Sequence, residues 1–479
     1  MTDTRDPSAG GSGSRLGAGV HAGPVSRGGL LALIAAGDVE TIILAAPDRH
    51  ARLFGKRVHA PFFAEDPEQG MMTCSVNVAW DLGQDFVGRL EYTGWHTGYH
   101  DMLGRPDMAT ARVLPWAEKT ALILCDLVEE DGADIPVAPR TMLRTQLERA
   151  AAAGFTCKTA SELEFHVYRE SYDAARAKGY RDLTPAPGYC NDYLILAQTQ
   201  VEPFLADVRR VLTEAGVPVE CSKGEWGWGQ TEVNLRYAEA LESADRHVLY
   251  KEGVKELAQR HGLSTTFMAL PFAGTAASAQ PPSGSSCHVH VSLWNEEGTE
   301  NLFAADGETQ PAMTRHFLGG LMRGIPELMP LYAPNVNSYK RLRGEDFAPC
   351  SNAWGYDNRS VAFRLVGEGA ATRIENRVPG ADVNPYLAYA TMIGSGLYGI
   401  EHELEPGPFA VDNAREMDGV ERLPRTLAEA LARFRDSELA AEILTPDVVR
   451  YCTTFIEHEL EQYESAVTDW ERAALYEQA

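Results

Sequence analysis

Two glutamates stand one residue apart in SELEFH (161–166), inside a run that reads as a β-strand. Alternate residues of a strand share a face, so Glu162 and Glu164 project the same way. Three further segments set charged or metal-binding side chains in apolar or tight-turn surroundings. GEWGWGQTE carries Glu225 and Glu232, SSCHVHVSL carries His288 and His290, and TRIENR carries Arg373, Glu375 and Arg377 at strand spacing. Two carboxylates about 4 Å apart repel by roughly 4 kcal/mol at an effective dielectric near 20. Carboxylates gathered in one site raise one another's pKa unless a cation compensates. Five carboxylates with the imidazole of His288 suit two Mg²⁺ or Mn²⁺ ions, which prefer oxygen ligands, whereas zinc would bring more Cys or His.

Arginines crowd the same half of the chain: Arg341 in NSYKRL, Arg359 and Arg364 in DNRSVAFRL, then Arg373 and Arg377. Guanidinium groups match carboxylate and phosphate oxygens two at a time. Divalent ions beside several arginines suit phosphoryl transfer from a nucleotide, with a carboxylate as second substrate. The sequence has neither GxxxxGK[ST] nor a kinase HRD/DFG set, so neither of those folds supplies the phosphate site.

These side chains need strands to carry them and helices to cover the strands. PRTMLRTQLERAAAAGF reads as a helix with Pro139 near its start and Gly154 past its end, and VEPFLADVRRVLTEAGVPVEC as another closed by Gly216. SADRHVLYKEGVKELAQRHG and NPYLAYATMIGSGLYGIEHEL read as long helices, RSVAFRL and TRIENRV as paired strands. Residues 1–24 are rich in Gly and Ser and are expected to be disordered. The pattern changes near 130–136, which predicts an N-terminal domain over 25–132 and an α+β catalytic domain over 133–479.

The net charge of −25 argues against nucleic-acid and anionic-membrane partners, so an anionic ligand must meet a local basic cluster. Eight cysteines without a CxxC pair predict free thiols in a reducing compartment. With no apolar run near 18 residues and no signal-peptide core, the expected location is cytoplasmic.

The ordered motifs ELEF, GQTE, SGSSCHVHVSL, NSYKRL, DNRSVAFR and TRIENRVPGADVNPYL are similar to those of the glutamine synthetase family. The resemblance spans nearly the whole chain after its Gly/Ser-rich start. It implies an N-terminal β-grasp domain and a catalytic domain with a curved antiparallel sheet flanked by helices. It also implies a homo-oligomer, commonly a dodecamer of two hexameric rings with sites between subunits. The implied reaction activates the γ-carboxylate of L-glutamate with ATP as γ-glutamyl phosphate, which an amine attacks. By motif, Glu164, Glu225 and Glu232 match ligands of one metal, and Glu162, His288 and Glu375 those of a second. His290 and Ser292 match ATP contacts, and Arg359 and Arg373 the phosphate-contacting arginines, with Arg364 beside them. Arg341, Arg377 and the Gly284 backbone match the glutamate site.

Several positions depart from the family. Phe347, in KRLRGEDFAP, stands where glutamine synthetases carry a glutamate that shields the acyl phosphate and helps deprotonate ammonium, with Glu345 and Asp346 as the nearby carboxylates that could substitute. SKGEW replaces the usual double histidine, Trp226 and Trp228 follow it, and Ser283 replaces an asparagine. HELEPGPFAVDN lacks the tyrosine of the adenylylated loop. Asp48 matches the aspartate that a neighbouring subunit lends to the ammonium site. A cationic amine must lose a proton before it attacks, and Asp48 and Glu225 are the candidate bases. Tyr189 and Tyr193 are candidates for the amine pocket. The departures resemble γ-glutamylamine synthetases. A small monoamine such as ethanolamine is the expected acceptor, with putrescine-like polyamines next; a true glutamine synthetase and a non-catalytic assembly are the alternatives.

Overall fold

The structure, a computed structural model, describes residues 23–272, 282–305, 310–343 and 347–479. The expected disorder falls mainly on residues 1–22, outside that set, as do Glu345 and Asp346. Gly23 and Pro24 lie against the helix end at Gly216, where Gly23 N donates to the Glu214 carbonyl at 3.3 Å.

Six N-terminal strands form one sheet: β1 (Thr41–Pro47), β2 (Leu53–His59), β3 (Met71–Cys74), β4 (Asp101–Pro106), β5 (Arg112–Val113) and β6 (Thr120–Val128). Their order is β2-β1-β6-β4-β3, with β5 also on β6, and β1 runs parallel to β6. Every residue of β6 is buried, the apolar stretch 121–125 and also Asp126, which Arg140 pairs.

The second sheet holds nine strands among the described residues: β7 (Phe155–Tyr168), β8 (Val219–Gly224), β9 (Gln230–Leu235), β10 (Ala238–Glu239), β11 (Ser264–Thr266), β12 (Cys287–Asn295), β13 (Trp354–Tyr356), β14 (Phe363–Val366) and β15 (Arg373–Asn376). The path is β13-β14-β15-β12-β7-β9-β8. All its pairings are antiparallel except β13 with β14, so the antiparallel expectation holds for the body of the sheet and not for that edge.

The helices Pro139–Ala152 and Ala240–Arg260 lie against β7, and Pro385–Glu401 packs on both of them. Pro139 occupies the first turn, where its missing N–H costs no hydrogen bond. Gly154 and Gly216 take φ of 82° and 79° just past their helices, a conformation that favours glycine. Buried Arg140 joins the two sheet regions: it pairs with Asp126 on β6, Asp107 before β5, and Asp245 on Ala240–Arg260. The Tyr386 hydroxyl donates to that same Asp245 at 2.6 Å. None of the helices among the described residues is long and apolar enough to cross a membrane, and all eight cysteines are unpaired.

Candidate active site

Strand register assembles the site. On one side of β7, His288 of β12 stands opposite Glu162; on the other, Glu232 of β9 stands opposite Glu164. Next along the sheet, Glu375 of β15 faces His290 of β12, and Arg364 of β14 faces Glu375. Two trios result. One ligand atom from each of Glu162, His288 and Glu375 lies within 4.8 Å of the others, and the same holds for Glu164, Glu225 and Glu232.

In the first trio, His288 Nδ1 lies 3.1 Å from Glu162 Oε1 and 3.4 Å from Glu375 Oε1, while His290 Nε2 lies 3.4 Å from Glu162 Oε2. Burial disfavours charge on both glutamates, but the histidines and Arg377 outweigh it. Glu162 is held well below the usual carboxylate range and Glu375 is lowered to about 2. Arg364 Nη1 and Arg377 Nη1 donate to Glu375 at 2.8 and 2.6 Å. Burial and the Arg377 charge lower His288 to about 4, leaving a neutral imidazole, the form that binds a cation.

The second trio is more strongly acidic. Burial, reinforced by the charges of Glu162, Glu164 and Glu225, raises the Glu232 pKa against the pull of Lys223. Burial and Glu225 likewise raise Glu164, although Ser286 opposes the shift by donating its backbone N–H at 2.8 Å and its hydroxyl to the carboxylate. Gln230, the first residue of β9, is fully used. Its Nε2 donates to Glu164 Oε2 at 2.6 Å and to the Gly284 carbonyl at 3.0 Å; its Oε1 accepts from Gly227 N at 2.8 Å and Ser283 Oγ at 2.5 Å. One amide thus ties the carboxylate cluster to the Gly284 backbone. Lys223, on β8, pairs with Glu225 and reaches Glu232 Oε2 at 4.0 Å and Asp192 Oδ1 at 3.9 Å.

The remaining sequence-derived residues surround these trios unevenly. Gly284 packs on the stem of Arg341, where an added Cβ would meet Arg341 Cγ at 2.7 Å and the Ala269 carbonyl at 2.9 Å. Buried Arg341 donates to the carbonyls of Val378 at 2.9 Å and Arg377 at 3.3 Å. Ser292 follows His288 and His290 on the same face of β12 and accepts from Trp294 Nε1 at 2.9 Å. Arg373 Nε lies 3.3 Å from His290 Nδ1. Arg359 is exposed, beside Asp357, which also pairs with Arg364.

Tyr193 is placed against Lys223, whose Nζ lies 4.5 Å from the ring centre. Tyr189 accepts from Gln200 at 3.0 Å on the same segment, and Asn191 between them donates to the carbonyls of Glu225 and Gly227 at 3.0 and 2.9 Å. Trp226 and Phe347 are 57% and 74% exposed. Asp48 stays apart from both trios. Its carboxylate accepts from the backbone N–H groups of His50 and Arg52, both at 2.8 Å, and from Arg52 Nε at 2.7 Å.

Lys223, Gln230, Ser286 and Asn191 are not readable as site residues from local pattern. Lys223 had the clearest signal, as the basic residue two before Glu225 where the family carries histidine. The donor set fits divalent cations: five carboxylates and one neutral imidazole, with two buried carboxyls whose pKa rises because nothing on the chain fully compensates them.

Residues 136–475 match the family model for the glutamine synthetase catalytic domain. The chain belongs to the glutamine synthetase family. Members of the family use ATP and divalent metals, and this chain is an ATP-dependent carboxylate–amine ligase. It is 43% identical over 449 residues to the gamma-glutamylethanolamide synthetase GlnA4 of Streptomyces coelicolor, covering 94% of this chain and 95% of that protein. It is 37% identical over 445 residues to the glutamate–isopropylamine ligase of a Pseudomonas species, covering 91% and 95%. A solved GmaS/ADP complex superposes with a TM-score of 0.81 at 29% identity, covering 93% of this chain and 99% of that one. Within the glutamine synthetase family, the chain therefore lies close to enzymes that join glutamate to organic amines.

Proposed function

We propose that the enzyme joins the γ-carboxylate of L-glutamate to a small primary monoamine such as ethanolamine. The observation that carries this reading is the aromatic setting of the second trio, where Tyr193 stands over Lys223 and Trp226 follows Glu225. Aromatic side chains beside the site suit a carbon-bearing acceptor better than ammonium. Phe347 in place of the family's glutamate, and the two amine-ligase relatives, support it.

In this reading Glu164, Glu225 and Glu232 would hold one divalent ion, and Glu162, His288 and Glu375 a second. When bound, such ions offset the charge on the transferring phosphoryl group. The chain's own residues do the rest. Arg341, Arg377 and the Gly284 backbone hold glutamate; Arg359, Arg364 and Arg373, with His290 and Ser292, hold ATP. A γ-carboxylate oxygen takes the terminal phosphoryl group and ADP leaves. The amine gives up its ammonium proton to Glu225 or to Asp48, then attacks the acyl carbon, expelling phosphate. Asp48, turned into its own loop in a single chain, takes part from a neighbouring copy in a dodecamer of two hexameric rings.

Phosphate release from ATP with glutamate and Mg²⁺, across ammonium, ethanolamine, putrescine and spermidine, tests the proposal. Release with ethanolamine well above ammonium supports it; release with ammonium alone overturns it.

A further inference from the structure

The carboxylates at the mouth of the second trio do not face solvent freely. Lys223 pairs with Glu225, and its Nζ lies 3.9 Å from Asp192 Oδ1 and 4.0 Å from Glu232 Oε2. Asp192, together with Glu225 and Glu232 of the trio, thus turns toward one internal cation. The face of Tyr193 is taken in the same way, since the Lys223 ammonium lies 4.5 Å from its ring centre. Lys223 is itself mostly buried and sits on β8, with Glu232 of β9 directly opposite, so its charge is fixed by the sheet rather than swinging on a loop.

We propose that Lys223 is a specificity-determining residue, which rejects acceptor amines carrying a second positive charge and admits those with a neutral tail. The inference rests on the γ-glutamylamine reading above and deepens it to the substrate's charge. Two mechanisms act together. The fixed ammonium repels a distal cation, and it occupies the anionic and aromatic partners that would otherwise compensate that cation. A neutral hydroxyl or alkyl tail meets neither obstacle.

The test pairs putrescine with 4-aminobutan-1-ol, which match in length and differ in the charge of the far end. The holoenzyme should show kcat/KM at least tenfold higher for the amino alcohol. Lys223→Gln should shrink that ratio to within about threefold, Lys223→Arg should keep it, and raised ionic strength should narrow it in the wild type and in Lys223→Arg but not in Lys223→Gln. Equal use of the two amines by the wild type overturns the inference, as does an unchanged ratio in Lys223→Gln. If Lys223→Gln turns over no amine, the wild-type ratio with Lys223→Arg decides. Turnover of ammonium and of neither organic amine removes the reading beneath it, an outcome distinct from equal use of both.

Discussion

Glu164 and Glu232 stand directly opposite each other across the β7–β9 pairing, and both are buried. A folded protein holds two such carboxyls together at the expense of stability unless protons or cations compensate them. A divalent ion held by both, as proposed, would supply that compensation.

Substituting a ligand without removing its shape is the cleanest test of that placement. Glu164→Gln and Glu375→Gln should each lower metal-dependent phosphate release by about 10²-fold or more, the scale of losing one preorganised electrostatic group. Gln is preferable to Ala at 375, because Ala would strand Arg364 and Arg377 without their shared partner. Circular dichroism should remain native; retained activity would remove the residue from the metal site.

The pKa directions give a pH dependence of known sign. A carboxyl whose folded-state pKa is raised is stabilised by its proton, a contribution present below the unfolded value and lost as pH rises through the folded one. Glu164 and Glu232 are both of this kind. The metal-free protein should therefore lose stability as pH rises from about 5, through about 7 for Glu164 and on toward about 11 for Glu232, and Mg²⁺ should restore it. The increase in Tm on adding Mg²⁺ should be larger at pH 8 than at pH 6. Glu162 and Glu375, with lowered values, act oppositely and only in acid, where their contribution is lost as pH falls. A Tm increment that does not change with pH would contradict this.

Phe347→Glu restores a carboxylate where the family uses one for ammonium. Its kcat/KM ratio for ammonium over ethanolamine should rise about tenfold or more, a modest share of what a positioned base contributes. An unchanged ratio would show that Phe347 does not set acceptor choice.

Gly284→Ala puts a methyl group into Arg341 and the Ala269 carbonyl. The backbone contact cannot yield cheaply, so kcat/KM for glutamate should fall about tenfold, an effect near 1.4 kcal/mol. Steady-state kinetics at saturating ATP measures it, and an unaltered KM for glutamate would place that substrate elsewhere.

Much of the candidate clustering was legible because strand spacing is a local property. Glu162 and Glu164, or His288 and His290, share a face whatever the rest of the chain does. The motif order also pointed to the family. The supports were not legible because they depend on register between distant strands. Gln230 binds Glu164 only because β9 pairs with β7 in one alignment, and Lys223 meets Tyr193 only because the segment around Asn191 folds onto the Glu225 loop. The parallel β13–β14 edge likewise had no local signature.

The proposed acceptor is an organic monoamine and not ammonium. Competition measures this most directly: equal concentrations of ethanolamine and ¹⁵N-labelled ammonium, with glutamate, ATP and Mg²⁺, and the products separated by mass. γ-Glutamylethanolamide should dominate the product. A predominance of labelled glutamine would contradict it.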